Sequence, residues 1–374
     1  MKKLTLAAVA ALALVVAFSC AKPLPPLPEE QPDGEGEIVS VPFLVRAEDG
    51  TKVTGAVLSD EENLVRWTVF AFDAETGWFR WVSSSGSATV HMNLRAGRTY
   101  RCYALVNYAT SGSSAFDPET VTNETSLRGK VAYLGDNGRD RLMMYGGPLE
   151  FTPVATYYDP TLVNPTEYVT KVITVHRIIS KVNVNGVSVD FSTKSVLASK
   201  TFTLKHIYMD NVYRTTRFGS DYAYSELSAS RVSWYNTGGR HRGEAAVLGI
   251  DALVEDRDIN RILTTGGTAY STVHSFYVFP NATPLGSDQR QMDSWTKRCT
   301  RVVLEATIDA ETVYYAVTVP DMLRNHVYTA ADIVIHGRGS NDPELLDYDE
   351  DVIDVTFSVS TDGWENPVNV EENS

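Results

Sequence analysis

Residues 64–72 read LVRWTVFAF, nine positions rich in β-branched and aromatic side chains without a glycine or proline. Such a run is a strand. Moving outward, similar runs recur at 99–108 (TYRCYALVNY), 169–189, 201–209, 274–279, 302–308 and 313–319. Clusters of Gly, Asn, Asp and Pro separate them, which is the punctuation of turns. Helical periodicity is nearly absent. The exception is 243–261, where Ala and Leu recur without a strong cap. The chain therefore reads as all-β.

Upstream of these strands the sequence changes character. Lys2 and Lys3 precede an apolar run at 4–18, and Ser19 then Cys20 follow, which is the layout of a secretory leader occupying 1–19. The apolar run is too short to span a bilayer. A cysteine placed directly after small cleavage-site residues has the thiolate needed to accept a diacylglycerol, so an exported lipoprotein acylated at Cys20 is expected, palmitate among its chains. A triacylated cysteine holds a membrane firmly, as one acyl chain does not. Residues 20–37 are rich in Pro, Glu and Gly. They read as an extended tether reaching roughly 50 Å.

The body that follows, roughly 340 residues, is large for one sandwich and predicts two β-sandwich domains. The Tyr-, Asp- and Pro-rich stretch at 156–166 offers the break, giving 38–165 and 166–374. There are 33 Lys and Arg against 47 Asp and Glu, a formal net charge of -14 with no basic block, which speaks against nucleic acid as a partner. Cys102 and Cys299 lie far apart on expected strands. Whether they meet is open, two separate buried thiols being the simpler reading.

The two ends of the body carry alternating strands. Val39, Val41, Phe43 and Val45 alternate with Ser40, Pro42, Leu44 and Arg46, and a proline there predicts an edge strand. Near the other end Ile353, Val355, Phe357 and Val359 alternate with Asp354, Thr356 and Ser358. Trp364, Val368 and Val370 follow in a tail without an obvious partner. Either strand is suited to being added to, or taken from, a sheet edge.

Several segments together carry a resemblance: the leader, LVRWTVFAFDAETG, MMYGG at 143–147, VHRIISKVNVNGV at 175–187, FYVFPN at 276–281, YYAVTVPDMLRNHVYTAADIVIHGRGSNDPE and WENPVNVEE. In order and spacing the chain resembles the Bacteroidales fimbrillin family, the FimA-like and Mfa-like lipoproteins that build type V pili. The resemblance implies two transthyretin-like sandwiches and a precursor carried to the outer membrane by its lipid anchor. It also implies an arginine-specific protease that removes the first strand, and a neighbouring pilin subunit whose terminal strand fills the vacated groove head-to-tail. The product would be a cell-surface fimbrium serving adhesion and colonisation, with a host or bacterial surface ligand; a stalk position is favoured, then a tip.

On this reading Val39, Val41, Phe43 and Val45 form the displaced strand, and Ile353, Val355, Phe357, Val359, Trp364, Val368 and Val370 belong to the donor. An open groove exposes unpaired backbone and apolar pockets, and an added strand satisfies both. The bond between Arg46 and Ala47 is the expected cut, since it ends the apolar alternation ahead of Glu48, Asp49 and Gly50. Arg66 competes but lies in a core strand.

Other constellations are weaker. His91, His176, His206, His241, His274, His326 and His336 lack ligand spacing, so no metal or other cofactor is expected. The acidic run at 347–351 lacks an EF-hand's glycine and ligand spacing, and GGRHRGE at 238–244 reads as an exposed basic turn. No nucleophile elbow, phosphate loop or helical zinc motif is present, which argues against an enzyme. A second reading is a surface glycan-binding lipoprotein, with Trp78, Trp81, Trp234 and Tyr235 as a sugar platform, although strand aromatics of this kind usually belong to the core or its rim.

Overall fold

The computed structural model describes residues 37–47, 63–85, 89–112, 114–154, 169–220, 223–235, 251–256, 258–284, 297–343 and 355–364. The leader, Cys20, the tether, the expected break at 156–166, the loop at 238–244, the acidic run at 347–351, and Ile353, Val368 and Val370 all lie outside the described residues. The first strands are β1 (Ile38–Ala47), β2 (Arg66–Asp73), β3 (Phe79–Ser85), β4 (Val90–Arg95), β5 (Tyr100–Val106), β6 (Val131–Tyr133), β7 (Met144–Phe151) and β8 (Lys171–Arg177). A short helix α1 (Glu124–Arg128) precedes β6. Then come β9 (Ser180–Val189), β10 (Phe202–Asp210), β11 (Val212–Tyr213), β12 (Thr215–Arg217), β13 (Trp234–Tyr235), α2 (Asp251–Val254), β14 (Glu255–Asp256) and β15 (Arg261–Leu263). The last five strands are β16 (His274–Val278), β17 (Thr300–Ile308), β18 (Glu311–Val319), β19 (His326–Ile335) and β20 (Val355–Gly363).

The architecture is all-β, as the strand composition predicts. Seven strands form one sheet in the order β3-β2-β5-β7-β8-β1-β4. Its inward side chains make a core of Val39, Val41, Phe43, Val45, Trp67, Val69, Met92, Leu94, Tyr100, Cys102, Ile173 and Val175, among others. The opposite face of β2 and β5, with Phe70, Phe72, Tyr103 and Leu105, joins a second and larger core. Both faces of these two strands are therefore covered, which is why residues 67–73 are buried without interruption and 69–72 are all apolar.

The larger core fills the space between two further sheets. One has the order β14-β10-β17-β18 with β15 also on β10, and the other runs β16-β9-β19-β20. Phe202, Leu204, Val302, Leu304, Val313 and Tyr315 from the first meet Val182, Val184, Phe276, Tyr328, Ala330 and Ile335 from the second within it. The chain passes from the seven-stranded sheet to these at Ile178 and Ile179, both fully buried. The apolar stretch 169–189 is thus two strands, β8 and β9, serving different sheets.

Three local features follow from chain chemistry. Gly146 in β7 lies so close to β8 that a Cβ there would fall 2.0 Å from the Thr174 carbonyl oxygen, so only glycine fits. Asn107, buried and at φ 56°, ends β5 in the left-handed region that asparagine tolerates. Its side chain accepts from the amide of Val65 at 3.0 Å and donates to the carbonyls of Asn63 and Leu142 at 2.7 and 2.9 Å. The expected helix at 243–261 is cut short. Of its described part, only α2 is helical before β14 and β15 take over. Cys102 and Cys299 are both buried free thiols, Cys102 inside the smaller core. Burial pushes the Cys102 thiol pKa up, which keeps it protonated and inert.

Candidate strand-exchange site

The strict alternation of β1 places Val39, Val41, Phe43 and Val45 on one face, and all four are no more than 1 % exposed. The ring of Phe43 stands edge-on to Phe151 with centroids 5.8 Å apart. On the opposite face Arg46 is exposed and Leu44 half-buried. Ser40 Oγ lies 3.2 Å from His91 Nδ1 on β4.

The proline expectation needs correction, because β1 is flanked on both sides, by β4 and β8, and is not an edge strand. Its two ladders are staggered. Ile38 to Phe43 pair antiparallel with β4, from Arg95 back to Val90. Phe43 to Ala47 pair parallel with β8, from Lys171 to Val175. Each half of β1 thus has one strand partner, and Pro42 sits just before the switch, so the missing N–H is tolerated much as it would be on an edge. Among the described residues β4 has β1 as its sole strand partner. Beyond β1, β8 keeps only the pairs Tyr145 with His176 and Met144 with Arg177 on β7. Taking β1 away would leave β4 unpaired and expose one edge of β8.

The bond between Arg46 and Ala47 lies within the ladder, since these residues pair with Thr174 and Val175. The Arg46 side chain is outward, but its backbone belongs to a sheet. Arg66, by contrast, begins β2 and pairs with Ser85.

β20 is the outer strand of its sheet and pairs antiparallel with β19. It is shallowly seated. Val355 and Val359 pack on the larger core half-buried, whereas Phe357, on the same alternating face, is 41 % exposed. Opposite Phe357 the ladder shifts between Ala331 and Val334, where Asp332 takes φ 52° in a bulge. Trp364 is not without a partner as expected. Its amide donates to the Asn325 carbonyl at 2.9 Å, and its indole lies 6.1 Å from the Tyr277 ring, with the Arg177 guanidinium 4.7 Å and the Lys181 ammonium 5.9 Å from its centre. Sequence reading missed this clamp and the flanks β4 and β8, because both are made by residues remote in the chain.

The four aromatics of the sugar-platform reading do not share an exposed face. Trp234 and Tyr235 are buried, with Tyr213 edge-on to Trp234 at 4.7 Å. Trp78 packs on the smaller core and Trp81 on the larger one. Among the described residues no helix is long and apolar enough to cross a membrane.

No family model and no curated protein sequence matches the chain. Solved structures do. A candidate cell-adhesion protein from Bacteroides eggerthii superposes with a TM-score of 0.57 at 15% identity, over 89% of this chain and 98% of that one. One from Parabacteroides distasonis gives 0.57 at 15% identity, over 89% and 100%. A fimbrilin, FimA, from Porphyromonas gingivalis gives 0.52 at 14% identity, over 88% and 98%. The chain has the fimbrilin fold. In this fimbrilin fold the first described strand completes the seven-stranded sheet, and the last described strand forms the outer edge of another.

Proposed function

We propose that the chain is a subunit of a cell-surface fimbria, serving adhesion and assembled by strand exchange. The precursor is exported as a lipoprotein through Cys20, cut between Arg46 and Ala47 by an arginine-specific protease, and stripped of β1. A neighbouring subunit then lays the strand beginning near Ile353 and running on through Trp364, Val368 and Val370 into the groove between β8 and β4.

The observation that carries this reading is β1 itself. It is a terminal strand whose apolar row is wholly buried, yet each half of it is laddered on one flank. Burying four such side chains is worth roughly 6–12 kcal/mol before entropy, so a vacated groove is a strong and register-specific acceptor. Donor and groove belong to different sheets at opposite ends of the chain, so the contact is heterologous and propagates as a filament. β20 supplies a lightly buried strand at a sheet edge, which favours a stalk position, with a tip next. Solved structures of the same fold that are named fimbrilin or cell-adhesion proteins support the fimbrial assignment.

The test is treatment of the purified precursor with an arginine-specific protease, followed by intact-mass analysis and electron microscopy. A chain beginning at Ala47 that forms filaments is expected, and Arg46→Ala should stay longer and monomeric. Normal assembly of protease-treated Arg46→Ala would refute the cut, and a trimmed chain that stays monomeric at high concentration would refute the exchange.

A further inference from the structure

An open cavity of about 500 Å³ lies beyond the residues of β8 that pair with β1, walled by β5, β7, His176 at the end of β8, α1 and the segment before β19. Its volume falls within the roughly 300–1,000 Å³ of small-ligand pockets. Three arginines, Arg101, Arg128 and Arg324, line it against a single carboxylate, Glu124. In a chain with 47 acidic and 33 basic residues this lining inverts the overall balance.

The charges are arranged unequally. Arg101 donates to Glu124 through Nε at 2.8 Å, with a second guanidinium nitrogen 2.7 Å away, and the Tyr103 hydroxyl donates to the same carboxylate. Arg128 is exposed and donates to the Gly219 carbonyl at 3.2 Å. Arg324 donates to the carbonyls of Arg217, Phe218 and Ser220, which fixes its guanidinium at the wall. Tyr103 and Tyr145 stack with centroids 5.9 Å apart and planes 21° from parallel; Tyr103 is buried and Tyr145 half-buried, so the Tyr145 ring supplies the aromatic part of the wall. The Tyr145 hydroxyl is buried with no hydrogen-bond partner among the described residues.

We propose that this cavity binds a carboxylate-bearing sugar, such as a hexuronate or sialate unit of a surface glycan. The exposed guanidinium of Arg128 holds the carboxylate, and the positive charge of Arg324, whose donors are committed to backbone carbonyls, adds to the attraction. Glu124 accepts from sugar hydroxyls, and the half-buried Tyr145 ring takes the C–H face of the sugar. A phosphate fits less well, because it brings two charges toward Glu124 and few donors for that carboxylate to accept from. A bare carboxylate leaves most of the volume empty.

The inference is independent of strand exchange, since an Arg46→Ala chain that never polymerises keeps the cavity. The test is calorimetric titration of the full chain with glucuronate and N-acetylneuraminate, against glucose, acetate and inorganic phosphate. Saturable binding of an acidic sugar is expected, about ten-fold or more tighter than glucose, acetate or phosphate. Arg128→Ala, at an exposed position, should weaken it about ten-fold. Tyr145→Phe keeps the ring, and a melting curve on each variant reports folding. The proposal is overturned if no acidic sugar saturates, if glucose or phosphate binds as tightly, or if a folded Arg128→Ala chain binds like the wild type. It is equally overturned if a peptide of residues 368–373 occupies the cavity and the sugars do not.

Discussion

Phe43→Ala separates a strand that merely packs from one that is later discarded. The ring has no exposed surface, stands edge-on to Phe151, and shares a core with Trp67, Tyr100 and Ile173. Truncation removes a buried aromatic and leaves a cavity in a rigid sheet, which costs about 3–5 kcal/mol. That is a large share of the roughly 5–15 kcal/mol that stabilises a domain. Urea unfolding of the uncut precursor should show this loss as a lower midpoint with little change in slope. After trimming at Arg46 the residue is gone from the chain, so trimmed wild type and trimmed variant should unfold identically, both below their precursors. A precursor variant within about 1 kcal/mol of wild type would refute the packing argument. Trimmed forms that still differ would show that β1 had stayed in place.

Other perturbations probe separate parts of the molecule. Asn107→Ala strips the backbone groups of residues 63, 65 and 142 of their partner, that of Leu142 being the buried one, at a left-handed position, and should cost about 1–3 kcal/mol in urea unfolding. Trp364→Ala removes the contacts to Tyr277, Arg177 and Lys181, so amide exchange along β20 should quicken while that of β5 stays unchanged. His206 is buried, which disfavours its charge, but the carboxylates of Glu255, 3.4 Å from Nε2, and then Glu305, 3.7 Å from Nδ1, outweigh this and hold its pKa above the ordinary histidine value. Its stabilising contribution is therefore complete below that ordinary value and fades as pH rises through the raised one. His206→Gln should flatten the fall in melting temperature as pH rises above the ordinary histidine value, and an unchanged slope would refute the assignment.

How much of this could be read from sequence depends on whether the signal was local. The period-2 row Val39, Val41, Phe43 and Val45 was legible, because one apolar face per strand is a property of the strand alone. Pro42 suggested an edge, whereas the structure shows a switch of partners at Phe43, and pairing is decided by one strand about 50 residues away and another about 130 away. Phe357 was expected to behave like Val355 and Val359, but the bulge at Asp332 that faces it belongs to β19 and leaves no trace in the sequence of β20. Trp364 is held by side chains from β8, β9 and β16, so nothing beside it in the chain announces the clamp. The cavity was missed for the same reason: its arginines lie at 101, 128 and 324, far too dispersed to form a motif.

The staggered pairing of β1 bears on how a strand so deeply buried can be exchanged at all. Pulling out a strand laddered on both flanks would break two hydrogen-bonded rows at once while baring its apolar row. In β1 each residue apart from Phe43 is laddered on one flank only, by β4 before the switch and by β8 after it. A cut between Arg46 and Ala47 falls in the β8-paired half, so the new free end begins where a single ladder holds it. An incoming strand can then replace that ladder residue by residue, refilling the pockets of Val45 and Phe43 as they empty, before it reaches Pro42 and the β4 half. The exposed area at any moment is that of one or two side chains, roughly 1.5–6 kcal/mol, and not the whole row. On this argument an added strand that matches only the β8 half should already speed the loss of the β1 peptide, and one that matches only the β4 half should not. Equal rates for the two, measured by release of a labelled 37–46 peptide, would show that β1 leaves in one step.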